Sequence, residues 1–142
     1  ARAGGVALAA LALLWWLRAW IPPAPLHLAR ATLARAVSGL EPLEPVIGSI
    51  SAVALREWRN LVAYTAVYAP AGLNQRVVHV WRRNGEIVNV VPLSLVRGGR
   101  TEGFRTYSRK SDFGADPSGE WSVDVMTASG QLIGRLRFTV TP

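Results

Sequence analysis

The feature that most constrains the fold is the run VVHVWRRNGEIVNVV, which extends from Val77 to Val91. Stretches rich in β-branched residues flank Asn84-Gly85, a dipeptide that favours the two positive φ angles of a type I′ turn. The run therefore predicts an antiparallel hairpin. Ser129-Gly130 separates WSVDVMT from QLIGRLRFTV in the same way, and this pattern predicts a second hairpin.

Turn residues divide the second half of the chain into further extended runs. Strands are predicted at 60–69, 75–83, 86–96, 103–109, 120–127 and 131–140. Pro92 has no backbone N–H to donate, so its run is predicted to be an edge strand or to contain a bulge. Six or seven short strands in about 85 residues predict a mainly β fold, a small immunoglobulin-like antiparallel β-sandwich, over residues 50–142.

Large apolar side chains must fill the core of so small a sandwich. Trp81 and Trp121 each lie on a predicted strand whose inward-facing and outward-facing residues alternate, and they are predicted to form a core pair. His79 alternates with Val77 and Trp81, so it is predicted to be a satisfied, partly buried histidine rather than a ligand.

The N-terminal segment has a different character. From Gly4 it reads GGVALAALALLWWLRAWI, with one charge, and as a helix it would extend about 27 Å at 1.5 Å per residue. This predicts a transmembrane helix over residues 1–22, with a cleaved signal peptide as the main alternative. The residues predicted to anchor it at the membrane interface are Trp15, Trp16, Arg18 and Trp20.

Two further features suggest contacts at the membrane. Gly5, Ala9 and Ala12 form a small-residue stripe that would let another membrane helix approach, although an Ala-rich segment produces such spacings by chance. Residues 26–40 space apolar side chains as an amphipathic helix does. This basic helix is predicted to lie in the headgroup plane or to pack on a protein partner, within a segment, 23–49, that ends in a proline-containing linker.

The chain of 142 residues carries a net charge of +7, from 16 basic and 9 acidic residues. Such a balance suits an anionic partner, but the chain has no helix-turn-helix, zinc-finger or RNP-type motif, so nucleic acid is not predicted. The candidate partner-binding residues are Arg97, Arg100, Arg105, Arg109 and Lys110. The alternative is that these are solvated charges on strand faces and loops.

Several patterns resemble an uncharacterised bacterial family. They are His79-x-Trp81, the segment RTEGFRTYSRK, and Gly119-Glu-Trp121-x-Val-x-Val followed by GQLIG and Phe138-x-Val. The resemblance covers about residues 60 to 140. It implies a C-terminal β-domain of unknown function, placed behind membrane-spanning helices in proteobacterial inner-membrane proteins, and it points to the periplasm. It implies no activity and no catalytic residues.

No reaction is predicted from the residues. The chain has no cysteine, its two histidines lie in different predicted segments, and no histidine has local spacing to activate Ser108 or Ser111. We therefore expect a non-enzymatic accessory or assembly subunit without a cofactor, whose partners are membrane lipids and other membrane protein subunits, for example in an energy-transducing complex. The alternative is a periplasmic binding module for a glycan, a lipid headgroup or an anionic envelope polymer.

Overall fold

The computed structural model describes residues 2–18 and 26–142. The described residues form two helices, α1 Arg2–Arg18 and α2 Ala52–Trp58. The strands are β1 His27–Ser38, β2 Glu41–Val46, β3 Ser49–Ser51, β4 Leu61–Tyr68, β5 Asn74–Gln75, β6 Val77–Arg83, β7 Glu86–Pro92, β8 Val96–Arg97, β9 Phe104–Lys110, β10 Gly119–Thr127 and β11 Leu132–Thr141. The described chain is therefore mainly β.

The strands form two principal sheets. Sheet A has the order β2-β1-β4-β9, and sheet B has the order β3-β11-β10-β6-β7. Neighbouring strands are antiparallel except β3, which runs parallel to β11. β5 and β8 form a separate two-stranded antiparallel sheet. Apolar residues of both principal sheets share one core, so the arrangement is sandwich-like.

Four aromatic rings occupy the centre of this core. Trp121 is stacked on Phe138 at 6.1 Å between ring centroids and meets Phe113 edge-on at 5.2 Å. Trp81 meets Phe113 and Phe138 edge-on, each at 6.4 Å. Both tryptophans are buried, which confirms that they are core residues.

The hairpin and strand predictions from residue 60 onward are largely confirmed. Asn84 and Gly85 have φ angles of 48° and 85° between β6 and β7, as a type I′ turn requires. β10 and β11 form the second hairpin. β7 is an edge strand ending at Pro92, with a register shift opposite Trp81 and Arg82.

The predicted amphipathic helix over 26–40 is wrong, because these residues form β1. β1 pairs with β4 and contains a bulge between Leu28 and Arg30. The extra residue resets the alternation, so that Leu28, Ala31 and Leu33 lie opposite inward-facing residues of β4 at spacings of three and two. Pairing with β4 thus outweighs the helical spacing of the apolar residues in 26–40.

The β-rich unit consequently begins near residue 26, whereas the sequence predicted a boundary at 50. β1 and β2 are part of sheet A and are neither an interfacial helix nor a linker. α2 is a further difference, since extended structure was expected after Ile50. Ser51 caps α2 by accepting a hydrogen bond from the Ala54 N–H at 3.1 Å.

α1 is a helix of 17 residues. No helix among the described residues has the length and apolar character needed to cross a membrane, so the predicted transmembrane helix over 1–22 is not supported. Gly5, Ala9 and Ala12 are exposed along α1, and Trp15 and Trp16 are exposed near its end. Trp20 and the arginine side chain at position 18 lie outside the described part.

Candidate functional site

Alternation along β9 divides the predicted basic segment between two faces. Arg105, Tyr107 and Arg109 face outward from sheet A, whereas Ser108 and Lys110 are buried on the inner face. Arg97 lies on β8, opposite Asn74. The predicted residues therefore do not form one continuous cationic patch.

Arg105 takes part in an ion-pair network on the outer face. Its guanidinium lies 3.2 Å from the Glu41 carboxylate and 3.9 Å from that of Glu102. Glu41 also binds Arg30 at 2.9 Å. Because Glu41 is at the tip of the β1–β2 hairpin, this network ties that tip to β9. Arg105 is thus partly neutralised within the molecule.

The Tyr64 ring lies beneath this network. Its hydroxyl donates to the Leu40 carbonyl at 3.0 Å, and the Arg30 guanidinium lies over the ring at 5.6 Å. These contacts explain why Tyr64, on the central strand β4, is buried although it lies opposite the outward-facing Tyr107.

A shallow depression adjoins the network. Its volume is about 350 Å³, and it is lined by Leu40, Arg100, Glu102, Gly103, Phe104 and Arg105. The Arg100 guanidinium lies over the Phe104 ring at 5.3 Å. This depression brings Arg100 and Arg105 together, and neither Arg97 nor Arg109 lines it. It is the most direct structural counterpart of the predicted binding segment.

Lys110 turns away from the surface. Its side chain is 8% exposed, and its Nζ lies over the Phe113 ring at 5.5 Å. Burial lowers the pKa of the Lys110 ammonium, and the nearby Asp112 carboxylate opposes this shift. Its position indicates a packing role at the edge of the core.

A buried polar cluster lies between the two sheets, and sequence reasoning missed it. His79 Nδ1 lies 2.7 Å from Ser108 Oγ, and His79 Nε2 lies 3.0 Å from Thr65 Oγ1. The Trp81 indole N–H donates to Ser108 Oγ at 3.0 Å. The strands β4, β6 and β9 supply these residues, so the cluster joins sheet A to sheet B.

Two neutral tautomers of His79 fit these hydrogen bonds. Because Ser108 Oγ accepts from Trp81, its own hydroxyl hydrogen is available to donate to His79 Nδ1. In that tautomer Nε2 carries the ring hydrogen and donates to Thr65 Oγ1. In the other tautomer Nδ1 donates to Ser108 Oγ, and Nε2 accepts from the Thr65 hydroxyl. Burial lowers the pKa of His79 from 6.5 to about 4, which is consistent with a neutral ring.

The Ser108–His79 contact has the distance of an activated nucleophile, but it is enclosed. His79, Thr65 and Trp81 are each 0% exposed, and Ser108 is 3% exposed. A substrate would have to enter a packed core to reach the Ser108 hydroxyl. The cluster therefore satisfies buried polar groups and fixes the spacing of the two sheets. The burial of His79 was signalled by strand alternation, whereas its partners lie too far away in sequence to be inferred from spacing.

Asp124 forms a second enclosed polar group, on the outer face of sheet B. Its carboxylate accepts from Arg82 at 2.9 Å and from Arg135 through two bonds. Burial favours the neutral acid, but the hydrogen bonds from Arg135 and Arg82 outweigh it and lower the pKa of Asp124. The cluster ties together β6, β10 and β11.

Within residues 2–18 and 26–142, no three His, Cys, Asp or Glu side chains come together as a metal ion would require. The clusters of this structure are accordingly hydrogen-bonded and ionic.

Comparison with known families concerns the second half of the chain. Residues 74–140 match the family described as Protein of unknown function (DUF2914). We call residues 74–140 the DUF2914 segment. It runs from β5 into β11 and includes His79, Ser108 and both core tryptophans. The DUF2914 segment covers just under half of the chain, and β1, β2 and β4 lie outside it. No curated protein matches the chain.

Proposed function

We propose that this protein is a non-enzymatic, membrane-anchored accessory subunit whose β-sandwich docks on a larger membrane protein complex. The observation that carries the proposal is the surface of α1. Its large apolar side chains, from Val6 to Leu17, are between 51% and 81% exposed. A helix that is apolar on all sides needs an apolar environment, because it has no polar face to present to water.

A membrane with neighbouring membrane helices supplies such an environment. At 1.5 Å per residue the 17 residues of α1 extend about 26 Å, which is less than the roughly 30 Å of a hydrocarbon core. The proposal therefore requires that α1 is buried in the membrane, but not that α1 alone crosses it. The exposed Gly5, Ala9 and Ala12 would let another helix approach closely. The location that accompanies this proposal is the bacterial inner membrane, with the sandwich on the periplasmic side.

The sandwich contributes a rigid surface in this proposal. The contact between the Ser108 hydroxyl and the His79 imidazole is enclosed in the core. The Asp124 carboxylate is held in ion pairs by Arg82 and Arg135. Arg100 and Arg109 are exposed and available to acidic groups of another subunit. These features favour recognition over catalysis.

Purification from native membranes in mild detergent tests the proposal. A stoichiometric set of other membrane proteins should accompany the chain. Changing Arg100 and Arg109 together to Ser should weaken that association and reduce its dependence on salt, because fewer charges remain to be screened. Arg105 is left unchanged, since it also holds the β1–β2 hairpin. The matched control changes Arg76 and Arg137 to Ser, because both arginines are exposed and lie outside the predicted basic segment, residues 97–110.

A second candidate function is favoured by the depression at Arg100. A cation stacked on the Phe104 ring next to Arg105 is suited to an anionic glycan, lipid headgroup or envelope polymer. A chain that purifies alone from native membranes, yet is retained on an acidic polymer resin in an Arg100-dependent manner, would reject the subunit function and favour this one.

A further inference from the structure

We propose that the edge strand β7 is a homodimerisation surface, at which two copies of this chain pair antiparallel across a two-fold axis through Val90. The proposal goes beyond the accessory function and does not depend on α1 lying in a membrane. It rests on the exposure of β7, its backbone hydrogen bonding and its charge.

The four outer strands of the two principal sheets differ in how they are protected. An exposed strand edge invites pairing with another chain, and prolines, charges and shortness prevent it. β2 contains two prolines and two glutamates, β3 has three residues, and β9 carries three basic residues. β7 reads EIVNVVP, with one charge at its start and a proline at its end. It is the one outer strand whose middle carries no such protection.

The apolar side chains of β7 are also uncovered. Ile87, Val88 and Val90 are 56%, 45% and 51% exposed, although they belong to a strand of the main sheet. No strand of the described residues pairs with the outer edge of β7. Pairing with another strand would partly cover these side chains. It would also give hydrogen-bond partners to the free backbone N–H and C=O groups of the edge.

The backbone orientation places Val90 at the centre of such a pairing. The Leu93 N–H donates to the Val77 carbonyl at 3.0 Å, so the backbone N–H of Leu93 points towards β6. The backbone N–H and C=O groups of successive residues in a strand point to opposite edges. Those of Val91 therefore also point towards β6, whereas those of Val90 and the C=O of Pro92 point to the open edge. Pro92 has no N–H to leave unpaired there. Val90 of each copy can therefore donate to and accept from Val90 of the other.

Sequence complementarity selects a second copy as the occupant. With Val90 on the two-fold axis, Asn89 lies opposite Val91 and Val88 lies opposite Pro92, so no like charges meet. The chain carries a charge of +7, which repels copies elsewhere on the surface. β7 has no basic residue, and Arg82 beside it is bound to Asp124. This edge is thus where two copies meet least repulsion.

Single-cysteine variants of the full chain in mild detergent test the proposal, because the chain has no native cysteine. Hydrogen-bonded antiparallel pairs have Cα atoms about 5.5 Å apart, within the range that a disulfide bridges. Val90→Cys should form disulfide-linked dimers at least about tenfold faster than Val53→Cys, because pairing raises the effective concentration of the two thiols. Val53 is a suitable control because it is an exposed valine of α2.

Sedimentation velocity provides the second measurement. Val90→Lys should shift the wild-type dimer to monomer and leave its melting temperature within a few degrees, because Val90 is half exposed. Equal cross-linking rates for the two cysteine variants would overturn the proposal. So would a wild-type monomer. Association that survives Val90→Lys but is lost when Gly5 and Ala9 become Leu would assign dimerisation to α1 and would also overturn it.

Discussion

At the residue scale, the burial of His79 has a consequence for the pH dependence of stability. Its ring is neutral and hydrogen-bonded on both nitrogens, to Ser108 and to Thr65. Protonation would turn the one acceptor nitrogen of the ring into a donor and would place a charge between the two sheets. His79 is therefore expected to make the sandwich sensitive to mild acid.

We predict that the contribution of His79 to the free energy of unfolding falls by about 3 kcal/mol as the pH drops from 6.5 to about 4. The unfolded chain takes up a proton near pH 6.5, whereas the folded chain resists until about pH 4. This contribution is therefore complete well above pH 6.5 and is lost progressively as the pH falls from there to about 4. Urea unfolding at a series of pH values measures it.

Two variants assign this pH effect to its residue. His79→Gln should be less stable at neutral pH, yet lose less stability on acidification, because no imidazole remains to be protonated. His27→Gln removes the exposed histidine and should retain the wild-type loss. If His79→Gln and the wild type show the same slope between pH 6.5 and 4.5, His79 is not the acid-sensitive group.

The aromatic core supplies a second prediction at the residue scale. Trp121→Ala should lower the free energy of unfolding by about 3 to 5 kcal/mol, because it leaves a cavity beside Phe113 and Phe138. It also removes the indole N–H that donates to the Pro117 carbonyl at 2.8 Å. Denaturant titration measures the change, with the exposed Tyr107→Ala as control. A loss of partner binding at unchanged stability would make Trp121 a contact residue instead.

At the element scale, the sequence predicts strands well where local signals agree and fails where tertiary contacts decide. Asn84-Gly85 and the alternation around Trp121 are local, and both hairpins are confirmed. β1 is rich in alanine, leucine and arginine, which favour helix. Pairing with β4 overrides that preference, and the bulge after Leu28 conceals the strand alternation. The Ser108–His79 contact also depends on long-range packing.

The position of β1 leads to a prediction about where the folding unit begins. β1 contributes the buried residues Leu33 and Ala34 and covers one edge of β4. A fragment of residues 26–142 should unfold cooperatively, whereas a fragment of residues 50–142 should aggregate or lack a cooperative transition. Thermal unfolding followed by near-ultraviolet circular dichroism distinguishes them. A stable, cooperative 50–142 fragment would show that sheet A does not need β1.

At the scale of the whole molecule, the DUF2914 segment does not coincide with the folding unit. It contains all of β6, β7, β9 and β10 and most of β11, but only one strand of sheet A. The inner face of sheet B, including Trp81, is covered by residues of β1 and β4 as well as β9. β1 and β4, which lie outside the DUF2914 segment, therefore supply core residues that this segment lacks.

The division between α1 and the sandwich gives the final prediction. If α1 is an apolar anchor, the full chain should stay with native membranes in alkaline carbonate and in 1 M salt, because screening removes ionic attraction but not hydrophobic burial. A 26–142 fragment should remain in the supernatant under both conditions. The control is the full chain with Leu11 and Leu14 changed to Arg, which keeps the length of α1 but charges its exposed apolar surface. This variant should be released by carbonate. Complete release of the unchanged chain by salt alone would show that its basic charge, rather than α1, holds it at the membrane.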